Sequence, residues 1–175
     1  MSTWASTPKH LIIIKKSLEI RTKCLSTADT GLAVCYHNMG GIHEIMGEYL
    51  KALEYYEKSL EIRKNILPEN HPDLAGLYHN IGAVYKSMGE YSKAFEYYQK
   101  SLETREHILP ANHPDLATSY NNIGFVYKSM EMYSKALDYS ERTLDTLRRS
   151  LPSDHPDIKE TKEHIERVKN KLLLY

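Results

Sequence analysis

The sequence predicts an all-α fold in which about eight helices stack as repeated hairpins. The tetrapeptide His-Pro-Asp-(Leu/Ile) recurs at residues 71, 113 and 155, each time after 42 residues. Residues 71–112 and 113–154 are identical at 23 of 42 positions, and residues 29–70 fall into the same register. Apolar residues within each repeat recur at steps of three and four, which is the spacing of one helix face. A chain that repeats itself every 20 to 50 residues or so (about one hairpin) is a solenoid or an array.

The chain opens on a half-repeat, residues 8–28. Residues 11–25 align with residues 53–67, which belong to the second helix of a later repeat. We therefore predict an opening helix that begins near Pro8. Its apolar run Ile12–Ile14 should be shielded from water, and either Trp4 folds back over it or another chain packs on it.

Each full repeat reads as a helical hairpin with a longer second helix. In residues 71–112, Pro72 can open the first helix because its missing N–H lies among the orphan donors there. Gly89 interrupts the apolar stripe, a second stripe follows, and Pro110 ends it. Gly82 lies in mid-helix, where glycine costs about 0.5–1 kcal/mol relative to alanine. We expect it to permit a close approach to Ala94 on the second helix.

The whole chain, residues 1–175, is interpreted as a single repeat domain. It contains full repeats at 29–70, 71–112 and 113–154, and a closing segment at 155–175 with a helix from Pro156 to about Leu172. In that helix Lys162, Glu166 and Lys169 stand where the repeats have tyrosine, glycine and tyrosine. Such side chains suit water, so we interpret 155–175 as a solvating cap.

Composition narrows the possible functions. Net charge is zero, and although residues 1–28 carry +4, no repeat has the basic stripe that nucleic-acid binding requires. No apolar run is long enough to span a membrane, and no secretory signal is evident. Cys24 and Cys35 lack metal-type spacing, so we expect reduced thiols and a cytoplasmic protein.

The spacing Tyr78-x2-Ile81-Gly82-x2-Tyr85, followed by Ala94-x3-Tyr98, resembles the tetratricopeptide signature. The 42-residue period and the Asn-His-Pro-Asp-Leu-Ala entry resemble the repeat domain of kinesin light chain. This resemblance implies a right-handed superhelix in which the first helices line a concave groove for extended or helical peptides.

The resemblance also implies which residues line that groove, and we call them the groove face. They come from the first helix of each repeat and from the closing helix: Val34, His37, Asn38, Gly41, His79, Asn80, Ala83, Lys86, Thr118, Asn121, Asn122, Phe125, Lys128, Glu163, His164 and Arg167.

Three roles are predicted on the groove face. Asn38, Asn80 and Asn122 form a column whose amides can pair with a peptide backbone, unless they bond within the solenoid. Phe125 replaces smaller residues and would anchor an apolar ligand side chain. Lys86 and Lys128 favour an acidic ligand segment. Few positions match the basic clamp of chaperone-binding relatives, so we do not expect a carboxylate clamp.

No catalytic, cofactor or metal site is predicted. The sequence has no glycine-rich phosphate loop, no Gly-x-Ser-x-Gly and no His-Glu-x-x-His. His71, His113 and His155 are separated by whole repeats and cannot converge on one ion, so we interpret them as helix-entry residues. Most of the fourteen tyrosines lie in apolar stripes and are expected in the core.

The predicted function is a non-catalytic scaffold or adaptor that binds a protein or peptide and neither nucleic acid nor membrane. Two alternatives stay open. One is a structural module that forms a homodimer through residues 4–14. The other is a targeting arm of a larger multidomain enzyme.

Overall fold

The computed structural model describes residues 30–173, which fold into seven α-helices joined by short turns. This confirms the all-α helical-repeat prediction, while the predicted opening helix and Trp4 lie outside the described residues. The helices are α1 (Thr30–Ile45), α2 (Tyr49–Ile66), α3 (Pro72–Ser87), α4 (Tyr91–Ile108), α5 (Pro114–Ser129), α6 (Tyr133–Ser150) and α7 (Pro156–Leu172).

The helices pair as hairpins α1/α2, α3/α4 and α5/α6, and each pair packs more extensively internally than against the next pair. The core therefore runs along the stack as connected clusters. Leu77, Ile81 and Val84 of α3 are fully buried against α2 and α4. Ile123 and Val126 repeat this arrangement on α5. Burial of such side chains contributes about 1.5–3 kcal/mol each, which makes packing the main source of helix stability here.

Buried hydroxyls tie the two helices of a hairpin together. Ser59 Oγ donates to the Ala33 carbonyl and Ser101 Oγ to the Ala75 carbonyl, each at 2.8 Å. At the equivalent position of the third hairpin, Thr143 donates to Tyr139 in its own helix. The third hairpin thus lacks this inter-helix bond.

Each joint between repeats has the same construction. His71 has an extended backbone, and its Nδ1 accepts a hydrogen bond from the Asp73 N–H at 3.1 Å, while Pro72 occupies the first helical position. The same cap recurs at His113 and His155. These bonds satisfy one of the free N–H groups that every helix start exposes.

The glycines inside the first helices lie against a neighbour that the sequence analysis did not name. A Cβ on Gly40 would lie 2.5 Å from the ring of Tyr56, and a Cβ on Gly82 would lie 2.9 Å from the ring of Tyr98. At Gly124, an added Cβ would lie 3.6 Å from the Ala136 carbonyl oxygen, which is the kind of approach to the alanine that the sequence suggested. In two of the three hairpins, glycine therefore makes room for a tyrosine ring.

The turns inside the hairpins require a left-handed backbone. Gly47 and Gly89 have φ of 74° and 77°, and Glu131 occupies the third position with φ of 60°. A residue with a Cβ pays roughly 1–2 kcal/mol for this conformation, because the Cβ approaches a carbonyl oxygen.

We therefore expect Glu131→Gly to raise the free energy of unfolding by about 1 kcal/mol, because it relieves the left-handed backbone. Gly89→Ala should lower it by a similar amount at the matching turn. Urea unfolding of the two variants beside the unaltered protein measures both changes. A Glu131→Gly protein that is less stable would contradict this account of the turn.

Candidate functional site

The predicted groove-face residues come from α1, α3, α5 and α7, and none of the sixteen is buried. Contacts join neighbouring helices of this face. Asn80 on α3 reaches His37 on α1, and Lys86 on α3 lies over Phe125 on α5. These two contacts link the first helices of the three repeats, α1, α3 and α5.

The asparagine column is accessible along its length. Asn38 is exposed, and Asn80 and Asn122 are partly exposed. Asn80 Nδ2 lies 3.4 Å from His37 Nε2, and since an amide nitrogen can only donate, the imidazole nitrogen accepts. This contact directs the Asn80 nitrogen toward α1 and leaves its carbonyl oxygen available as an acceptor.

Two groove-face histidines pack on tyrosines from the second helices. The His37 ring lies 5.6 Å from the Tyr56 ring, and the His79 ring lies 5.5 Å from the Tyr98 ring. Burial lowers the pKa of His37, and the nearby Arg63 lowers it further. Burial also lowers the pKa of His79 to about 4. Both rings are therefore neutral at pH 7.

The fourth position of the asparagine column is His164. Its Nδ1 lies 3.3 Å from Ser140 Oγ, at the place where the earlier hairpins have Tyr56 and Tyr98. Burial, Lys128 and Arg167 all lower the pKa of His164. A serine on α6 thus meets a histidine on α7, where the earlier repeats have a tyrosine on the second helix and an asparagine on the first helix that follows.

The two buried tyrosines differ at their hydroxyl groups. Tyr56 donates to Glu44 Oε2 at 2.8 Å, so its ring connects the core to the edge of the groove face. The Tyr98 hydroxyl is buried and has no hydrogen-bond partner within residues 30–173. Burial raises the pKa of both phenols. Sequence reasoning missed this pair, although the column Tyr56, Tyr98 and Ser140 was visible in the repeat alignment.

The apolar and cationic features of the groove face coincide. Phe125 is 44% exposed, and the Lys86 ammonium lies 5.3 Å from the centre of its ring. A ligand group that reaches Phe125 therefore meets Lys86 as well. Lys128 and Arg167 extend the positive charge toward α7, where both lower the pKa of His164. Such an arrangement can bind an apolar side chain flanked by an acidic one.

A concavity of about 570 Å³ lies away from the groove face, between α6 and α7. Arg148 and Lys162 line it, and their equivalents one repeat earlier are Glu106 and Tyr120. Those two residues are both contacted by Arg142 of α6. The concavity is thus the place that a further second helix would occupy in a longer stack.

The remaining chemistry of the described residues is sparse. Across residues 30–173, no group of three or more His, Cys, Asp or Glu side chains could hold a metal ion. Cys35 is a free, buried thiol. Within the same residues, every helix is too short or too polar to cross a membrane.

Comparison with protein families gives one match. The tetratricopeptide repeat model matches residues 11–65 and 73–149, which together make up more than half of the chain. No curated protein matches the sequence.

Several solved structures share the fold at low sequence identity. The TPR-like repeats of a Podospora anserina protein assigned as a kinesin light chain superpose with a TM-score of 0.82 at 18% identity, covering 93% of this chain and 77% of that one. BtubC (BKLC) from P. vanneervenii gives 0.83 at 23% identity, covering 94% and 65%. The N-terminal domain of stress-induced protein-1 from C. elegans gives 0.62 at 19% identity, covering 80% and 96%.

Proposed function

Because the chain belongs to the tetratricopeptide repeat family, we propose that it is a non-catalytic scaffold that binds a peptide or a partner helix along the groove face. Proteins of this family serve in general as scaffolds for protein interactions. The observation that carries the proposal is the accessible column of Asn38, Asn80 and Asn122 on consecutive first helices.

The spacing of the column suits an extended chain. Packed helices lie about 8–10 Å apart, and a strand advances about 3.3 Å per residue, so one repeat corresponds to roughly three ligand residues or more. An amide offers a donor and an acceptor and can pair with any peptide backbone. The backbone would be bound by the asparagines, independently of ligand sequence.

Sequence preference would come from the second half of the face. Phe125 presents an exposed ring, and Lys86 and Lys128 supply positive charge close to it. The preferred ligand carries an apolar side chain next to an acidic segment. We place this activity in the cytoplasm, and we propose no role for nucleic acid or membrane. The homodimer alternative rests on residues 4–14, which lie outside the described residues.

The proposal predicts that Asn80→Ala combined with Asn122→Ala weakens partner binding at least tenfold, or about 1.4 kcal/mol, because two backbone contacts are lost. Affinity capture with mass spectrometry first identifies the partner, and calorimetry then gives its Kd for both proteins. Both asparagines are partly exposed, so cooperative thermal unfolding should be retained.

A matched control is available outside the groove face. Asn65 on α2 and Asn112 in a joint are both exposed. Their double alanine variant should bind like the unaltered protein. Equal Kd values for the groove-face variant and the unaltered protein would refute the assignment of the binding surface.

A further inference from the structure

The three joints between repeats use the same kind of hydrogen-bond acceptor, a histidine Nδ1. The imidazole Nδ1 of each joint histidine accepts the backbone N–H two residues later, at 3.1 Å for His71, 3.1 Å for His113 and 3.2 Å for His155. Serine, threonine, asparagine and aspartate are the usual residues at this cap. Histidine differs from them because a proton on Nδ1 removes the lone pair that accepts the bond.

We propose that the three His-Pro-Asp joints are acid-sensitive, with a neutral imidazole capping each following helix and a protonated one releasing it. Histidine ordinarily changes charge between pH 5 and 8 or so. An imidazolium at a helix start also opposes the positive end of the helix dipole. Both effects weaken the protonated joint in the same direction, so acid loosens the connection between successive repeats.

The charged neighbours differ among the joints. Beside His71, the Asp73 carboxylate is held by Arg63 at 2.7 Å. At His113, the Arg105 guanidinium donates to the Asp115 carbonyl oxygen at 3.2 Å and so bridges α4 to α5. These two arginines come from the helix before the joint and keep positive charge near the imidazole.

At the third joint, the position of the two arginines is taken by Leu147. The Asp157 carboxylate lies 3.8 Å from His155 Nδ1, and Asp154 precedes the histidine in the chain. A protonated His155 is therefore attracted to the Asp157 carboxylate at an ion-pair distance. The backbone N–H of Asp157 still loses its acceptor, so the cap is lost at this joint too.

Protonation of the joint histidines would affect the groove face, because each joint begins a helix that contributes residues to that face. The caps begin α3, α5 and α7, which carry the groove face from His79 to Arg167. Backbone bonds such as Leu74 N–H to the His71 carbonyl, at 3.0 Å, remain when the imidazole is protonated. The expected change is a loosened joint rather than loss of the helix.

The test compares the unaltered protein with a triple variant, His71→Asn, His113→Asn and His155→Asn. Asparagine caps a helix but does not titrate. Between pH 7.5 and 5.5, the melting temperature of the unaltered protein should fall by roughly 5 °C more than that of the variant. The amide proton signals of Asp73, Asp115 and Asp157 should shift over the same range in the unaltered protein alone.

Other histidines are present in both proteins and cancel in the comparison. The folded protein lowers the pKa of His37, His79 and His164, so the unfolded chain binds more protons than the folded one below about pH 6.5. Acid therefore destabilises the folded state through these three histidines, and it does so equally in both proteins. His107→Asn, at an exposed position on α4, should leave the fall in melting temperature unchanged. An equal fall in the triple variant, or amide signals of the three aspartates that do not respond to pH, would overturn the proposal.

Discussion

Gly82→Ala is expected to destabilise the protein by about 1–3 kcal/mol, because a new methyl group would overlap a buried ring. The added Cβ would lie 2.9 Å from Cδ1 and 3.0 Å from Cε1 of Tyr98, a side chain that is 1% exposed. Gly40→Ala should cost at least as much, since its Cβ would lie 2.5 Å from Tyr56 Cδ1. Tyr56 cannot turn away without breaking its bond to Glu44.

Gly124→Ala is the matched control, because its Cβ would make an ordinary contact of 3.4 Å with Tyr139. Alanine is the better helix former by about 1 kcal/mol, so this variant should be as stable as the unaltered protein or more stable. Urea unfolding of the three variants gives the free energies. Equal losses at Gly82 and Gly124 would show that the tyrosine ring is not the reason for the glycine.

Tyr98→Ser should lower the free energy of unfolding by about 3–5 kcal/mol, because a fully buried ring is replaced by a cavity. The third hairpin has serine at this position, but there Ser140 is accompanied by His164. Beside the second hairpin, the position of that histidine is occupied by Asn122 of α5, whose side chain is smaller than an imidazole. The substitution that the third hairpin carries naturally is therefore costly in the second.

The double variant Gly82→Ala/Tyr98→Ser isolates the contact between the two positions. Removing the ring also removes the overlap with the new methyl group, so the double variant should lose at least about 1 kcal/mol less than the sum of the single losses. A double-mutant cycle in urea measures this coupling. Strictly additive losses would mean that Gly82 and Tyr98 do not constrain each other.

The helices were predictable because their signals are local. Pro72 marks the start of α3, and the closing helix predicted from Pro156 to about Leu172 is α7. Such boundaries follow from proline geometry and from the three- and four-residue apolar spacing, which act within one helix. The period of 42 residues then repeats each boundary along the chain.

Partners across helices were harder to predict. An apolar stripe shows which side of a helix is buried, but not how far an opposing side chain reaches. The sequence pairs Gly82 with Ala94, but it does not reveal that the Tyr98 ring lies closest to the position of an added Cβ. None of the predicted groove-face residues is buried. The contact of Asn80 with His37 could not be predicted, because it depends on the distance between repeats. No periodic pattern contains that distance.

Two buried phenols in residues 30–173 donate to a carboxylate: Tyr120 binds Glu106 on α4, whereas Tyr56 binds Glu44 on α1, a first helix that contributes to the groove face. A ligand cation that binds Glu44 must compete with this bond, so docking there loosens the packing behind it. Tyr98, with its unbonded hydroxyl, has no such link. Binding at Glu44 would therefore change the packing of the first hairpin through Tyr56, and Tyr98 offers no equivalent route in the second.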